Sequence, residues 1–139
     1  MAVFSFDDIE IAFLFVNGGP RGENSAYLDT ETGKIFYQSE MGDIDEISEE
    51  DTDWEKMIEI PHKNDLDLGH NLVFEFTASN LPDEYERVRD IFRHKGAYGR
   101  FKDLLDFKGL LDAWHSFENE RETKALRRWC EENKIELSD

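Results

Sequence analysis

The residues of this chain that could bind a charged ligand are concentrated between positions 87 and 108. This segment carries seven basic and three acidic side chains, a net charge of +4 in a chain whose formal charge is −17. Gly96 and Gly99 precede a helical pattern that contains Tyr98 and Phe101. Free N–H groups at a helix start and neighbouring cations both favour a phosphate or a carboxylate. The predicted residues for binding an anion or a partner are Arg93, Lys95, Gly96, Tyr98, Arg100 and Lys102.

The same basic residues also fit an intramolecular role. Cations near the start of a helix add to its partial positive charge and cost a few tenths of a kcal/mol each. Arg100 and Lys102 therefore require an anion, which is either an external ligand or one of the protein's own carboxylates: Asp90, Asp103 or the acidic stretch from Glu40 to Glu55. In the second case Phe101 is simply a core residue, and the sequence leaves both cases open.

Residues that bind metals do not have a suitable spacing. No two histidines have the i,i+4 spacing of a helical zinc pair, and one cysteine cannot form a thiolate cluster. The histidines are His62, His70, His94 and His115. The acidic stretch from Asp43 begins like a calcium loop, but Ile47 and Ser48 replace a required ligand and the required glycine. We predict no metal site.

The candidate nucleophiles also lack the partners that catalysis needs. Cys130 has Arg127 and Lys134 within helical reach but no assignable histidine, which favours a structural thiol. Asp112 and His115 are three residues apart, yet no serine or cysteine is placed to use the pair. We predict no catalytic residue and no cofactor, so the protein is more easily explained as a non-enzyme.

The first half of the chain has the pattern of one helix followed by strands. Ser5 stands three residues before Asp8, as in a capping box, and apolar residues follow at helical spacing. Residues 25–29 and 34–39 predict a β-hairpin, and 57–60 predict a third strand that ends before a proline.

The second half has helical periodicity. Stripes of apolar residues predict four or five helices, although 66–78 would also fit a strand. Asn119 with Glu122 has the pattern of a new helix cap, and residues 135–137 could add an edge strand. The predicted fold class is α+β: a small antiparallel sheet with an N-terminal helix, packed on a helical C-terminal half.

Length and composition predict one domain, residues 1–139, made of a β-containing part (1–61) and a helical part (62–139). The longest apolar run, 11–16, is far short of the roughly 20 residues that span a bilayer. A lone cysteine favours a reducing compartment, so the cytoplasm is the predicted location. Residues 1–60 have a net charge of −13, which favours a basic protein partner or solubility and disfavours nucleic acid and membrane surfaces.

The motif Gly96-Ala97-Tyr98-Gly99-Arg100-Phe101-Lys102-Asp103, followed by Trp114, Phe117 and Trp129, resembles a group of small bacterial proteins known only as an uncharacterised protein family. Weaker similarity extends to Ile9 and Ala12, the hairpin from Tyr27 to Gly33, and the Ile60-Pro61 step. Tyr98 and Gly99 stand where relatives often carry Phe and Arg. The resemblance implies a bacterial, cytoplasmic α+β protein and supplies no activity.

The favoured function is a non-enzymatic protein-interaction or regulatory domain. Its acidic first half would engage a basic partner, or its motif helix would engage an anionic one. One alternative is a regulator that binds nucleic acid or a nucleotide through segment 87–108, with Tyr98 as a stacking platform. A further alternative is an enzyme that acts on an anionic small molecule held at the Gly96 turn.

Overall fold

The computed structural model describes four stretches of the chain, which are residues 2–20, 22–40, 44–47 and 52–138. The chain divides into two compact units. The first unit contains Met1–Leu66 and Ala125–Asp139, and the second contains Asp67–Lys124. A small antiparallel sheet with an N-terminal helix and a helical C-terminal half confirm the predicted α+β class. The single-domain organisation stays a prediction.

The first unit contains two small groups of strands and one complete helix. Its elements are β1 (Val3–Phe4), α1 (Phe6–Val16), β2 (Asn24–Asp29), β3 (Ile35–Ser39), β4 (Met57–Glu59) and β5 (Glu136–Leu137). Strands β3, β2 and β4 form an antiparallel sheet in that order, while β1 pairs in parallel with β5. The predicted hairpin, third strand and C-terminal edge strand are therefore confirmed.

Local sequence explains where α1 begins and ends. The Ser5 hydroxyl accepts a hydrogen bond from the backbone N–H of Asp8 at 3.4 Å, so it satisfies one of the free donors of the first turn. At the other end, Asn17 donates its side-chain N–H to the carbonyl of Phe13 at 2.8 Å. The buried residues between these caps lie at helical spacing and are Phe6, Ile9, Ala12, Phe13 and Val16.

The hairpin turn is built on Asp29. Its carboxylate accepts hydrogen bonds from the N–H groups of Glu31 (2.9 Å) and Thr32 (3.1 Å). Burial would raise the pKa of Asp29, but these donors outweigh it, and the pKa is lowered. Gly33 completes the turn at a φ of 80°, a conformation that glycine adopts without strain.

The second unit is helical. It contains α2 (His70–Asn80), α3 (Tyr85–Ile91), α4 (Ala97–Phe107) and residues 111–124 of α5 (Leu111–Glu132). Its core is aromatic at the centre, where Trp114 makes edge-to-face contacts with Phe76 and Phe101 at centroid distances of 5.4 and 5.1 Å. The buried members of this core are Leu72, Val73, Phe76, Leu81, Val88, Phe101, Leu104, Leu105 and Trp114.

The helix cap predicted at Asn119 and Glu122 is wrong, because both residues lie inside the continuous helix α5. No apolar residue stands between Phe117 and Ala125, but this stretch contains no glycine or proline, and its Glu, Arg and Lys residues are good helix formers, so the helix continues. Although α5 has 22 residues, none of the helices in the described stretches is both long and apolar enough to cross a membrane.

Candidate functional site

Helices α3 and α4 of the second unit enclose a groove of about 540 Å³. Two residues of α3, four positions apart, and four residues of α4 at i, i+3, i+4 and i+7 lie along it. Since these spacings repeat on one side of a helix, each helix contributes a single face. The lining residues are Arg87, Ile91, Arg100, Asp103, Leu104 and Phe107.

The orientation of α4 follows from its buried side. Phe101 and Leu105 are fully buried and anchor the helix in the core, while Leu104, which is 6% exposed, forms part of the groove. The helix starts at Gly96, which has a φ of 74° and no side-chain hydrogen bond to the first turn. A side chain at Gly96 would be strained by this backbone conformation, so glycine is the suitable residue there.

Arg100 is the open cation of this groove. Its side chain is exposed, and no carboxylate oxygen of the described residues lies within 4.0 Å of its guanidinium. Arg87 differs, because its Nη1 lies 3.5 Å from Glu84 Oε2. Lys108 shares the same carboxylate, with Nζ 3.6 Å from Glu84 Oε1. Asp90 and Asp103 therefore do not pair with Arg100, and neither do the described carboxylates of the acidic stretch from Glu40 to Glu55.

Phe107 is the exposed aromatic residue among those that line the groove. Its side chain is 84% exposed, the highest value among the exposed large hydrophobic residues of the described chain. The Lys108 ammonium lies 5.9 Å from the centre of its ring. A single exposed apolar side chain is common on protein surfaces. An exposed phenyl ring beside Leu104 and an open guanidinium makes a surface with both apolar and cationic character.

The structure separates the predicted binding residues. Lys102 is two positions beyond Arg100 and therefore lies about 160° around the helix axis from it. Arg93 and Lys95 are exposed in the connection between α3 and α4, and Gly96 is the N-cap of α4. Of the six predicted residues, only Arg100 lines the groove.

Tyr98 lies on the inner side of α4. Its half-buried ring contacts Phe92 edge-to-face at 5.1 Å and His70 at 5.7 Å. Burial raises the pKa of Tyr98, and the nearby charge of Glu118 adds to this effect. The ring is thus engaged in packing on at least two sides, an environment unlike that of an open stacking platform.

Sequence reasoning missed Arg87, Ile91, Leu104 and Phe107 as groove residues. The signal was present in their spacing, because Arg87 and Ile91 are four residues apart and Arg100, Asp103, Leu104 and Phe107 follow the i, i+3, i+4, i+7 pattern. Which face of α3 meets which face of α4 depends on the tertiary structure, so the pattern by itself did not identify a groove.

Comparison with known proteins places this chain in a family. A model described as "Uncharacterised protein family (UPF0158)" matches residues 15–138. The chain belongs to this family. The groove of this UPF0158 protein lies entirely inside the matched range, as does the motif from Gly96 to Asp103. Searches of curated proteins and of solved structures gave no significant match.

A second cavity of this UPF0158 chain lies within the first unit and has a volume of about 300 Å³. Ser25, His62 and Asp65 are among its lining residues. His62 Nδ1 accepts a hydrogen bond from the Asn64 N–H at 3.2 Å, so the neutral ring carries its proton on Nε2. A serine–histidine–aspartate triad requires Nδ1 to donate and Nε2 to accept. The orientation of His62 does not support that chemistry.

The remaining reactive groups are accounted for by burial or position. Cys130 is 1% exposed, and burial raises its pKa to about 11 although Arg127 acts in the opposite direction. The thiol is therefore protonated near neutral pH. In the described parts of the chain no three His, Cys, Asp or Glu side chains are grouped as a metal site would require. Asp43 and Ser48 of the calcium-loop comparison lie outside the described residues.

Proposed function

We propose that this UPF0158 chain is a non-enzymatic protein-interaction domain whose α3–α4 groove binds an acidic segment of a partner protein. The proposal rests on the guanidinium of Arg100, which pairs with no carboxylate of the described residues and lines the groove with Leu104 and the exposed ring of Phe107. We also propose a cytoplasmic location, since the lone Cys130 requires no oxidising compartment.

The chemistry of the groove favours a carboxylate next to an apolar side chain. A guanidinium presents a planar fork of N–H donors that matches a carboxylate with two parallel hydrogen bonds. Ile91 and Leu104 provide apolar surface in the lining of the same groove. Arginine and aromatic residues are also the types that contribute most to protein interfaces.

Simple energetics assign different roles to the two parts of the groove. An exposed ion pair contributes about 0–1 kcal/mol, so Arg100 mainly orients the bound segment. Burying an exposed phenyl ring contributes about 1.5–3 kcal/mol, so Phe107 supplies more of the affinity. A short peptide that uses only these contacts is expected to bind weakly, with a Kd of about 1 mM or higher.

Chemical-shift mapping by NMR suits binding of this strength. The ¹⁵N-labelled full chain would be titrated with acetyl-Glu-Glu-Leu-Phe-Glu-Glu-amide, and separately with a control peptide in which Lys replaces every Glu. We expect the acidic peptide to shift the amides of α3 and α4, with the largest changes around Ile91, Arg100 and Phe107. The Lys peptide should leave these amides unchanged, because it places cations against Arg100.

The same titration separates the alternative functions. Shifts at α3 and α4 caused by oligo(dT) instead of the acidic peptide, with an affinity that falls steeply as salt rises, would replace this proposal with nucleic-acid binding. Saturable shifts caused by a small anionic metabolite alone would favour the enzyme alternative. Shifts confined to other elements would overturn the groove as the binding site.

A further inference from the structure

The outer face of α1 in the first unit carries two exposed aliphatic side chains. Ile11 is 57% exposed and Leu14 is 59% exposed, although both belong to a helix whose opposite side is fully buried. They are three positions apart and therefore neighbours on the helix surface. Phe15 extends this surface toward β3, where its ring contacts Tyr37 edge-to-face at 5.0 Å. More than half of the surface of Ile11 and of Leu14 is therefore left uncovered by the described residues.

Acidic side chains border this apolar surface. Helix α1 contains Asp7, Asp8 and Glu10 and no basic residue. None of the three has a basic group of the described chain within 4.0 Å. Burial raises the pKa of Tyr37, and the charges of Asp8 and Glu46 raise it further, which shows that the negative field extends to the β3 side. The surface therefore has an apolar centre and a border of acidic side chains that pair with no basic group of the described residues.

Charge complementarity excludes several occupants of this surface. A second copy of the chain packed face to face would bring two sets of Asp7, Asp8 and Glu10 together, and like charges repel. Anionic lipid and nucleic acid are repelled for the same reason. A partner with apolar residues flanked by lysine or arginine satisfies both the apolar centre and the acidic border.

The shape of the surface favours a helical partner. Asp7, Glu10, Ile11 and Leu14 have the spacing i, i+3, i+4 and i+7 and lie within an arc of about 100° around the axis. Such residues form the ridges that pack into the grooves of a second helix. We propose that the outer face of α1 is a docking surface for a basic amphipathic helix of a partner protein, independent of the α3–α4 groove.

A designed helix with leucines on one face and lysines on the other is the direct probe. Its affinity for the full-length chain would be measured by fluorescence anisotropy at 0.15 M salt. We expect the double variant Ile11→Gln, Leu14→Gln to raise the Kd at least tenfold. The double variant Asp7→Asn, Glu10→Gln should raise the Kd several-fold and reduce its dependence on salt.

The matched control is Phe107→Gln, which removes an exposed apolar side chain from the second unit. It should bind the designed helix like the parent protein. The converse holds for the acidic peptide of the groove, which should bind the α1 double variant normally and the Phe107→Gln variant weakly. Failure of one proposal is thereby distinguishable from failure of the other.

An unchanged Kd for the Ile11→Gln, Leu14→Gln variant would overturn the proposal, because binding would then be a general property of an acidic protein. Self-association that the same variant abolishes, measured by sedimentation, would also overturn it by making a second copy the occupant. Both substitutions are at exposed positions, and unchanged melting curves verify folding. The single variant Leu14→Gln replaces the double variant if the latter is unstable.

Discussion

Trp114 is buried in the core of the second unit, although its indole N–H has no hydrogen-bond partner among the described residues. It is 1% exposed and lies between the rings of Phe76 and Phe101. Its indole Nε1 has no hydrogen-bond partner in the described chain. Leaving a buried donor unpaired costs about 1–3 kcal/mol, so the packing of the ring must contribute more than this amount.

Replacing Trp114 by Ala should lower the free energy of unfolding by about 3–5 kcal/mol, because it leaves a cavity in the aromatic core. Trp114→Phe should cost clearly less, since it keeps most of the ring and removes the unpaired N–H. Urea denaturation of the two variants and the parent measures both values. If Trp114→Ala unfolds like the parent, the residue does not belong to the core.

The buried thiol of Cys130 should make the stability of the fold depend on pH in the alkaline range. Its pKa in the folded protein is raised to about 11 from an ordinary value of 9.0. Below pH 9 the thiol is protonated in both states, while between about pH 9 and 11 only the unfolded chain ionises it. Stability should therefore fall as pH rises through this window, and part of the fall should be absent in Cys130→Ala. Parallel denaturation series at pH 8 and pH 10.5 would test this, and an equal decline in both proteins would contradict it.

The burial of Phe101 and Trp114 was predictable, because each lies on the apolar stripe of its own helix. The role of Phe107 was not. Phe107 is an apolar residue of α4, as Phe101 is, yet its side chain is exposed. Its position relative to the core depends on how α3 and α4 pack together. Arg87 is a second example. Its charge is evident from the sequence, but its position in the groove depends on the packing of α3 against α4.

Among the elements, α5 shows that a capping pattern in the sequence does not by itself end a helix. The Asn119 to Glu122 pattern predicted a break, whereas the structure has an unbroken helix from Leu111 to Glu132. Asn119→Ala should therefore stabilise the protein by roughly 0.5 kcal/mol, because alanine has the higher helix propensity. A true N-cap would give the opposite sign, a loss of about 1 kcal/mol. Thermal or urea denaturation measures the sign directly.

The predictable elements are those determined by local sequence. Ser5 marks the start of α1, and the turn around Asp29 and Gly33 joins β2 to β3. The pairing of β1 with β5 was not predictable, because it joins Phe4 to Leu137 across almost the whole chain and β1 has only two residues. Neither residue carries a local signal that specifies its partner.

At the scale of the whole molecule, charge is distributed unevenly between the two units. Residues 67–124 contain 12 acidic and nine basic side chains, a net charge of −3, so −14 of the total of −17 belongs to the first unit. The α1 surface belongs to this more acidic unit and carries only acidic charges, whereas the charged residues that line the groove are Arg87, Arg100 and Asp103. At physiological salt, exposed charges are screened beyond about 8 Å, so each surface responds mainly to its own nearby residues.

The proposal that Arg100 binds an external anion is tested most directly by the Arg100→Ala variant. Its affinity for the acidic peptide and its melting temperature would be measured together, with Arg89→Ala as the control, since Arg89 does not line the groove and is about 160° around the α3 axis from Arg87. We expect Arg100→Ala to weaken binding about two- to fivefold, with a melting temperature within about 2 °C of the parent. Arg89→Ala should change neither. Unchanged affinity for Arg100→Ala, or a loss of several kcal/mol in stability, would contradict the claim.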